Sequence, residues 1–407
     1  MVAYERGTAT SVDIVLKDED ALGLEEILID QAIDLNTTAP ESVYDQWIDV
    51  ELQEGDYALN VSIWRSITPV LTEDDQENMG LTEVLFDLDE DTVASLVYKT
   101  GSTFNQAVLY FPGKSDSFAH PHVLAMYEEM GYDFYSLDPR YCGRTRRFMN
   151  DTVYGHWIDD FDKYKEEIDM TIEFMRKNKD YSKIVVHVHS TGALVALNYV
   201  MQVMAEGGDD PFDAYVLNGP FLDWGHVGGQ FNEFVLENAG VADFFGMENP
   251  SQGGGISAWH MRKWLLYQYN VTERPIIQTH VNSQWAQAAT SVQQKITDSE
   301  KGVTKNPALL IASLGDDVIL ASESVDRMQF VSSNYSTVIL KNNAHDVTLS
   351  ATRELNEMAI AEISAWLETG DTTGTFSNTT SSSSAAGRIV LAVFLAVFST
   401  TAMTGCS

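Results

Sequence analysis

The stretch IVVHVHSTGALVALNYV, Ile184 to Val200, reads as strand, sharp turn and helix. Ile184, Val185, Val186 and Val188 form a β-branched run suited to a strand buried on both faces, and Ala193 to Val200 carries helix formers at apolar spacing. Ser190 stands at the joint. A serine on a tight strand-to-helix turn projects its hydroxyl above the sheet edge, and the first amides of the following helix point at any anion formed there. That geometry suits an activated nucleophile.

Outward from this stretch the chain alternates. Upstream, Ala107 to Phe111 reads as a buried strand ending in PGKSD, followed by a helix at His122 to Met130. A second strand at Tyr132 to Leu137 ends in DPRYCGRT, and an amphipathic helix runs from Phe161 to Lys177 with its charges facing away from the core. Arg140 is expected to hold the loop around Asp138 through charge-assisted bonds. Downstream come strands at Ala214 to Leu217, Ala308 to Ser313 and Thr337 to Leu340, and helices at Ser322 to Phe330 and Ala351 to Leu367. Alternating βα units predict a doubly wound, mostly parallel sheet. Before it, Leu24, Ile27, Leu28 and Ile33 suggest one amphipathic helix, and Tyr57 to Ile63, Val84 to Phe86 and Thr92 to Tyr98 suggest antiparallel strands.

With 25 Lys+Arg against 60 Asp+Glu the formal charge is −35, which disfavours nucleic acid and anionic membrane surfaces as partners. Two cysteines, Cys142 and Cys406, offer no disulfide framework. No His or Cys spacing suggests a metal site, and Gly253-Gly254-Gly255 follows no strand, so neither a metal nor a phosphate-bearing cofactor is expected.

The two ends of the chain point to different compartments. The N-terminus lacks the basic start and apolar run of a secretory signal. A Ser/Thr-rich linker over 369–388 leads into a hydrophobic tail over 389–407, the pattern of a glycolipid-anchor signal, with an apolar run of about ten residues against the roughly 20 of a membrane span. Six glycosylation sequons, at Asn36, Asn60, Asn150, Asn270, Asn334 and Asn378, agree with that tail. The sequence does not choose between a lipid-anchored surface location and a cytoplasmic one.

A serine hydroxyl needs a base, and the base needs an acid to fix its tautomer. Asp316 and Asp317 lie just past the strand at Ala308 to Ser313, and His345 follows the next strand, where ligand and catalytic groups gather in open α/β sheets. The order Ser, Asp, His matches that of an α/β-hydrolase triad. His187, His189 and Asp223 are further candidates.

Five segments in order carry a resemblance: PGKSDSF to an HG-x-x-D-x-F oxyanion turn, DPRYCGRT to a D-x-R-G-x-G-x-S loop, VHSTGAL to a G-H-S-T-G-G-L elbow, LNGPFLD to the post-elbow strand, and AHDV to the histidine turn. The chain resembles an α/β-hydrolase of the serine aminopeptidase-like and monoacylglycerol lipase-like group, over roughly Trp47 to Leu367. The resemblance implies Ser190 as nucleophile, His345 as general base and Asp316, rather than Asp317, as orienting acid, with the backbone amides of Lys114 and Thr191 forming the oxyanion hole. It also implies a domain over 47–368 behind an acidic extension over 1–46. A helical cap at about 224–305 would lie between the post-elbow strand and the acid strand, its aromatic and Met residues suiting an apolar acyl pocket. Three positions depart from the pattern: Val188 and Tyr141 replace glycines and Pro112 a histidine. A branched side chain at Val188 is expected to crowd the elbow. The expected activity is hydrolysis of a small-molecule acyl ester, with peptidase activity and a non-catalytic surface protein as alternatives.

Overall fold

The computed structural model describes residues 11–19, 25–34, 46–54, 57–65, 79–88, 92–101, 103–114, 116–148, 158–224, 283–299, 302–316, 318–350, 352–371 and 377–380. Two antiparallel hairpins come first: β1 (Ser11–Glu19) with β2 (Glu25–Asp34), and β3 (Gln46–Glu54) with β4 (Tyr57–Arg65). The helix expected around Ile27 to Ile33 is thus a strand. β-branched isoleucines are disfavoured in a helix, and the backbone pairs with β1 in a register that sets Leu16 opposite Ile29 and Val12 opposite Ile33.

A nine-stranded sheet holds the rest, in the order β13-β12-β11-β10-β9-β7-β8-β6-β5. Its strands are β5 (Thr82–Leu88), β6 (Thr92–Lys99), β7 (Gln106–Phe111), β8 (Tyr132–Asp138), β9 (Lys183–His189), β10 (Ala214–Asn218), β11 (Ala308–Ser313), β12 (Tyr335–Leu340) and β13 (Ser377–Thr380). From β8 to β12 every neighbouring pair is parallel, while β5, β6 and β13 run antiparallel at the edges. The expected doubly wound, mostly parallel sheet is therefore present, with two antiparallel strands closing one side.

Helices α1 (Pro121–Glu129), α2 (Lys165–Asn178), α3 (Gly192–Ala205), α4 (Ser283–Thr297), α5 (Ala321–Val331) and α6 (Arg353–Thr369) cover the sheet. Ile168, Ile172 and Met175 of α2, Leu194 and Leu197 of α3, Trp285 and Val292 of α4 and Met328 of α5 share one core. Val123, Leu124 and Tyr127 of α1 join Ile363 and Trp366 of α6 in a second core on the other face. The period-two alternation of β9 divides its side chains between them: Val186 and Val188 enter the first core and Val185 the second.

β7 receives β8 on one side and β9 on the other, so the winding direction changes there. Open α/β sheets bind ligands in the crevice above such a point, at the carboxyl ends of the strands. The turns that leave β7 and β9 carry Gly113-Lys114 and Ser190.

Of the interval between β10 and β11, Phe221 to Trp224, α4 and the turn before β11 are described, and α4 packs against α3. The remaining aromatics of the expected cap and the Gly253-Gly254-Gly255 run lie outside the described residues, as do Asp317, the tail over 389–407 and the sequons at Asn36, Asn150 and Asn270. Among the described residues, no helix is long and apolar enough to cross a membrane.

Arg140 ties the loop around Asp138 to α2 by charge-assisted bonds, as expected, pairing with Glu167 and Glu166 at 2.8 and 2.6 Å. Asp138 itself is held by Arg144 at 2.9 Å and by the Ser117 hydroxyl at 2.7 Å. Glu167 is fully buried, so α2 does not keep all its charges on the outer face; a buried carboxylate is tolerated there because a guanidinium forks onto it.

Candidate active site

Ser190 has φ +49°, a left-handed conformation that a side chain adopts only when its surroundings impose it. The surroundings are visible. Its amide donates to the Asn218 carbonyl at 3.1 Å, and its carbonyl accepts the Phe221 amide at 3.0 Å, so the elbow is fixed to the end of β10 on both sides. Gly192 is where the turn admits no side chain: a Cβ would fall on the Phe111 carbonyl oxygen and 2.8 Å from that of Pro112. Val188 is fully buried in the first core, which it shares with Ala193, Leu194 and Leu197 of the helix that follows the elbow.

Gly113 lies directly against the Ser190 turn, since a Cβ there would sit 3.1 Å from the Ser190 Cβ and 2.9 Å from His189 Nδ1. This contact brings the Lys114 segment beside Ser190. Thr191 immediately precedes α3, with its amide at the helix N-terminus.

His345 and Asp316 come together from the loops after β12 and β11. His345 Nδ1 is 2.8 Å from Asp316 Oδ2, and both residues are 7% exposed. Asp316 Oδ1 accepts the amides of Val318 and Ile319, at 2.8 and 2.9 Å. Burial raises the Asp316 pKa, but the His345 charge and hydrogen bond, with the two amides, outweigh it and hold the carboxyl below its ordinary value. An ionised carboxylate only accepts, so the shared proton belongs to His345 Nδ1 and Nε2 is the free base position. Asp223 is engaged elsewhere, with Arg327.

Asn218 links the elbow to the histidine loop. Its carbonyl holds the Ser190 amide, its Nδ2 donates to Asp346 Oδ1 at 2.9 Å, and its Oδ1 accepts the Val347 amide at 3.0 Å. Gly219 follows with φ +50° and leaves no room for a Cβ against the His345 carbonyl. Asp346 also accepts from the Thr348 hydroxyl at 2.8 Å and lies 2.9 Å from His120 Nε2. His120 Nδ1 accepts the Ala119 amide, so Nε2 carries the proton and donates.

A second imidazole lies beside the first. His189 Nδ1 is 3.0 Å from Asp116 Oδ2, and the His189 and His345 ring centroids are 4.9 Å apart. Burial pushes the His189 pKa down, against the pull of Asp346 and Asp116. His187, on the same face of β9, meets the Tyr127 hydroxyl at 3.0 Å, and burial brings its pKa down to about 3. Among the described residues, Asp116, His189 and Asp346 place one ligand atom each within 4.8 Å of one another. The oxygens of Asp346 already accept from His120, Asn218 and Thr348, and those of Asp116 meet the Ser117 amide and His189, so this cluster acts as a fastening between loops. Asn218, Asp346, Asp116 and His120 were not singled out in sequence. The only signal for Asn218, Asp346 and Asp116 was their place inside the resembling segments, and His120, two residues past the first of them, had none.

Phe221, Trp224 and Trp285 form an aromatic wall next to the elbow: Phe221 and Trp285 stack at 6.1 Å, and Trp224 meets both edge-on.

Residues 105–350 match the family described as serine aminopeptidase, S33. No curated protein matches the chain in sequence. Among solved structures, a soluble variant of monoglyceride lipase from Saccharomyces cerevisiae, bound to a substrate analogue, is 13% identical with a TM-score of 0.54, covering 72% of this chain and 96% of its own. DcsB in complex with its substrate analogue is 13% identical with a TM-score of 0.53, covering 71% and 99%. A carboxyl esterase from Bacillus coagulans in complex with glycerol is 14% identical with a TM-score of 0.50, covering 71% and 98%. These likenesses are of fold, and the fold agrees with the family match over the segment that contains the elbow, the acid and the histidine. The chain belongs to the serine aminopeptidase S33 family of α/β-hydrolases.

Proposed function

We propose that the protein is a serine hydrolase that cleaves carboxylic esters through Ser190, His345 and Asp316. The observation that carries this reading is the Asp316 to His345 hydrogen bond of 2.8 Å, with the acid's second oxygen held by two amides, beside a serine in the left-handed elbow conformation. Ser190 Oγ would attack the acyl carbon while His345 Nε2 takes its proton, and the carbonyl electrons would move to an oxyanion between the amides of Lys114 and Thr191. Collapse would expel the alcohol, protonated by His345, and leave an acyl-serine. Water, deprotonated by the same histidine, would then release the acid and restore Ser190. Asp316 would orient the ring and offset the imidazolium charge. The wall of Phe221, Trp224 and Trp285 favours an apolar acyl chain.

A fluorophosphonate probe should label wild-type protein and fail to label Ser190→Ala. Asp316→Asn should keep the fold and lower kcat by about three to four orders of magnitude, as loss of the orienting acid does in other triads. Labelling of folded Ser190→Ala at the wild-type level sinks this reading. A peptidase would use the same residues, and a panel of matched esters and amides separates the two by the ratio of kcat/KM.

A further inference from the structure

Helix α4 is fastened to the segment that follows β10. Gln293 Nε2 donates to the Phe221 carbonyl at 3.2 Å, and Trp224 Nε1 donates to the Thr290 hydroxyl at 2.9 Å. Phe221 in turn donates its amide to the Ser190 carbonyl, so the helix is tied to the elbow. In the first turn of α4 stands Trp285, 3% exposed. Its ring stacks on Phe221 and packs against Phe161 and Trp224, with centroids 6.1, 6.2 and 6.3 Å away. A large flat side chain enclosed by three other rings has little room to move.

The turn after β7 meets that ring. Lys114 follows the glycine that lies against Ser190, and its ammonium sits 5.6 Å from the Trp285 centroid, within reach of a cation–π attraction. Two residues on, Asp116 is bound to His189 at 3.0 Å. The side chains of Lys114 and Asp116 thus bind one short turn to two different elements, α4 and β9. The Lys114 amide nitrogen is bonded to the Cα that carries the first of these side chains, so what holds the side chain also limits the amide.

We infer that Trp285 is a positioning residue, which holds the turn after β7 in its oxyanion-binding geometry through the Lys114 ammonium. The inference rests on the ester-hydrolase reading, in which the Lys114 amide is an oxyanion donor. Such donors act by being in place before the charge develops. A lysine side chain is flexible, and the enclosed tryptophan is the rigid member of the pair. Helix α4 would therefore act on the rate of acyl transfer and not only on which acyl chain fits. A contact that merely packed α4 onto the sheet would change stability and leave the chemistry alone.

Steady-state kinetics on a soluble ester test it in the full chain, with Lys114→Met, Lys114→Arg, Trp285→Leu and the double variant Lys114→Met/Trp285→Leu. Lys114→Met should lower kcat by about tenfold or more with KM within about twofold, the pattern of an interaction needed in the transition state. Lys114→Arg, whose guanidinium also stacks on an aromatic face, should recover most of kcat. The double variant should be no slower than the slower single variant, because both lose the same contact. A trifluoromethyl ketone forms a hemiketal oxyanion on Ser190 and needs the same amide. It should bind Lys114→Met more weakly by the factor lost in kcat/KM, while the matching secondary alcohol binds as it does to wild type. An unchanged kcat in Lys114→Met, equal rates for Lys114→Met and Lys114→Arg, or losses that multiply in the double variant overturn the inference while Ser190-dependent turnover stands. If wild-type protein shows no Ser190-dependent turnover and no fluorophosphonate labelling, the hydrolase reading fails and this inference with it. If Trp285→Leu does not fold, the two Lys114 variants and the inhibitor decide.

Discussion

The imidazoles of His189 and His345 lie 4.9 Å apart, each hydrogen-bonded through Nδ1 to a different aspartate, Asp116 and Asp316. The Asp316 pair faces the elbow from the loops beyond β11 and β12. The Asp116 pair ties the turn after β7 to the residue preceding Ser190, across the strands where the sheet changes its winding.

That second pair should act on rate through position. Asp116→Asn removes the charged acceptor for His189 and frees the segment next to Gly113 and Lys114. A misplacement on the order of 1 Å costs about 100-fold in rate, so kcat should fall by about 10- to 100-fold with KM nearly unchanged. Steady-state kinetics on a soluble ester provide the check, and an unchanged kcat would show that the pair is structural only.

Asn218 joins the elbow and the histidine loop through its own carbonyl and amide. Asn218→Ala strips the buried Val347 amide of its acceptor, at about 1–3 kcal/mol for an orphaned buried group. Asn218→Asp should be worse than Asn218→Ala, because it sets a carboxylate against Asp346, whose Oδ1 lies 2.9 Å from the present amide nitrogen. Urea unfolding of the two variants gives the order directly.

Gly192 and Val188 make opposite predictions about the elbow. Gly192→Ala forces a Cβ onto the backbone oxygens of Phe111 and Pro112 and should yield little folded protein. Val188→Gly restores the glycine of the family pattern, yet it empties a fully buried core position and should cost about 2–4 kcal/mol in stability with no gain in activity. Chemical denaturation and ester turnover of Val188→Gly test both halves.

Acid should destabilise the fold through its buried histidines. The folded-state pKa of His187 is about 3, below the ordinary 6.5, so the unfolded chain binds the extra proton between those values. The stability it contributes is complete above about pH 6.5 and is lost as pH falls toward 3, with a slope of about 1.4 kcal/mol per pH unit for one proton. His189 and His122 shift in the same direction, also through burial. Thermal midpoints measured from pH 7 to pH 4 should therefore fall. His187→Phe, packed between Tyr110 and Tyr127, should flatten the decline.

Alternating apolar runs specify βα units because hydrophobic period and turn chemistry are local properties of the chain. That is why β7 to β12 and the helices between them were legible, and why Ser190, Asp316 and His345 could be placed at strand ends. The error at β2 has the same origin in reverse: over ten residues a helical stripe and a strand are close in pattern, and pairing with β1 decided between them. The carboxylates that Arg140 binds were not legible for another reason: which ones it reaches depends on which elements lie alongside, and that is set by the packing of α2.

The sequence by itself determined the order of the proposed chemistry: a serine on an elbow, then an aspartate, then a histidine, each on the turn that leaves a strand. Tertiary structure decided what surrounds them. It chose Gly192 as the place where the elbow needs space, Asn218 as the link between Ser190 and the histidine loop, and Asp116 as the partner of His189. Hydrogen bonds and charges act over a few ångströms of space, and distance in space is what a linear pattern of residue types does not encode.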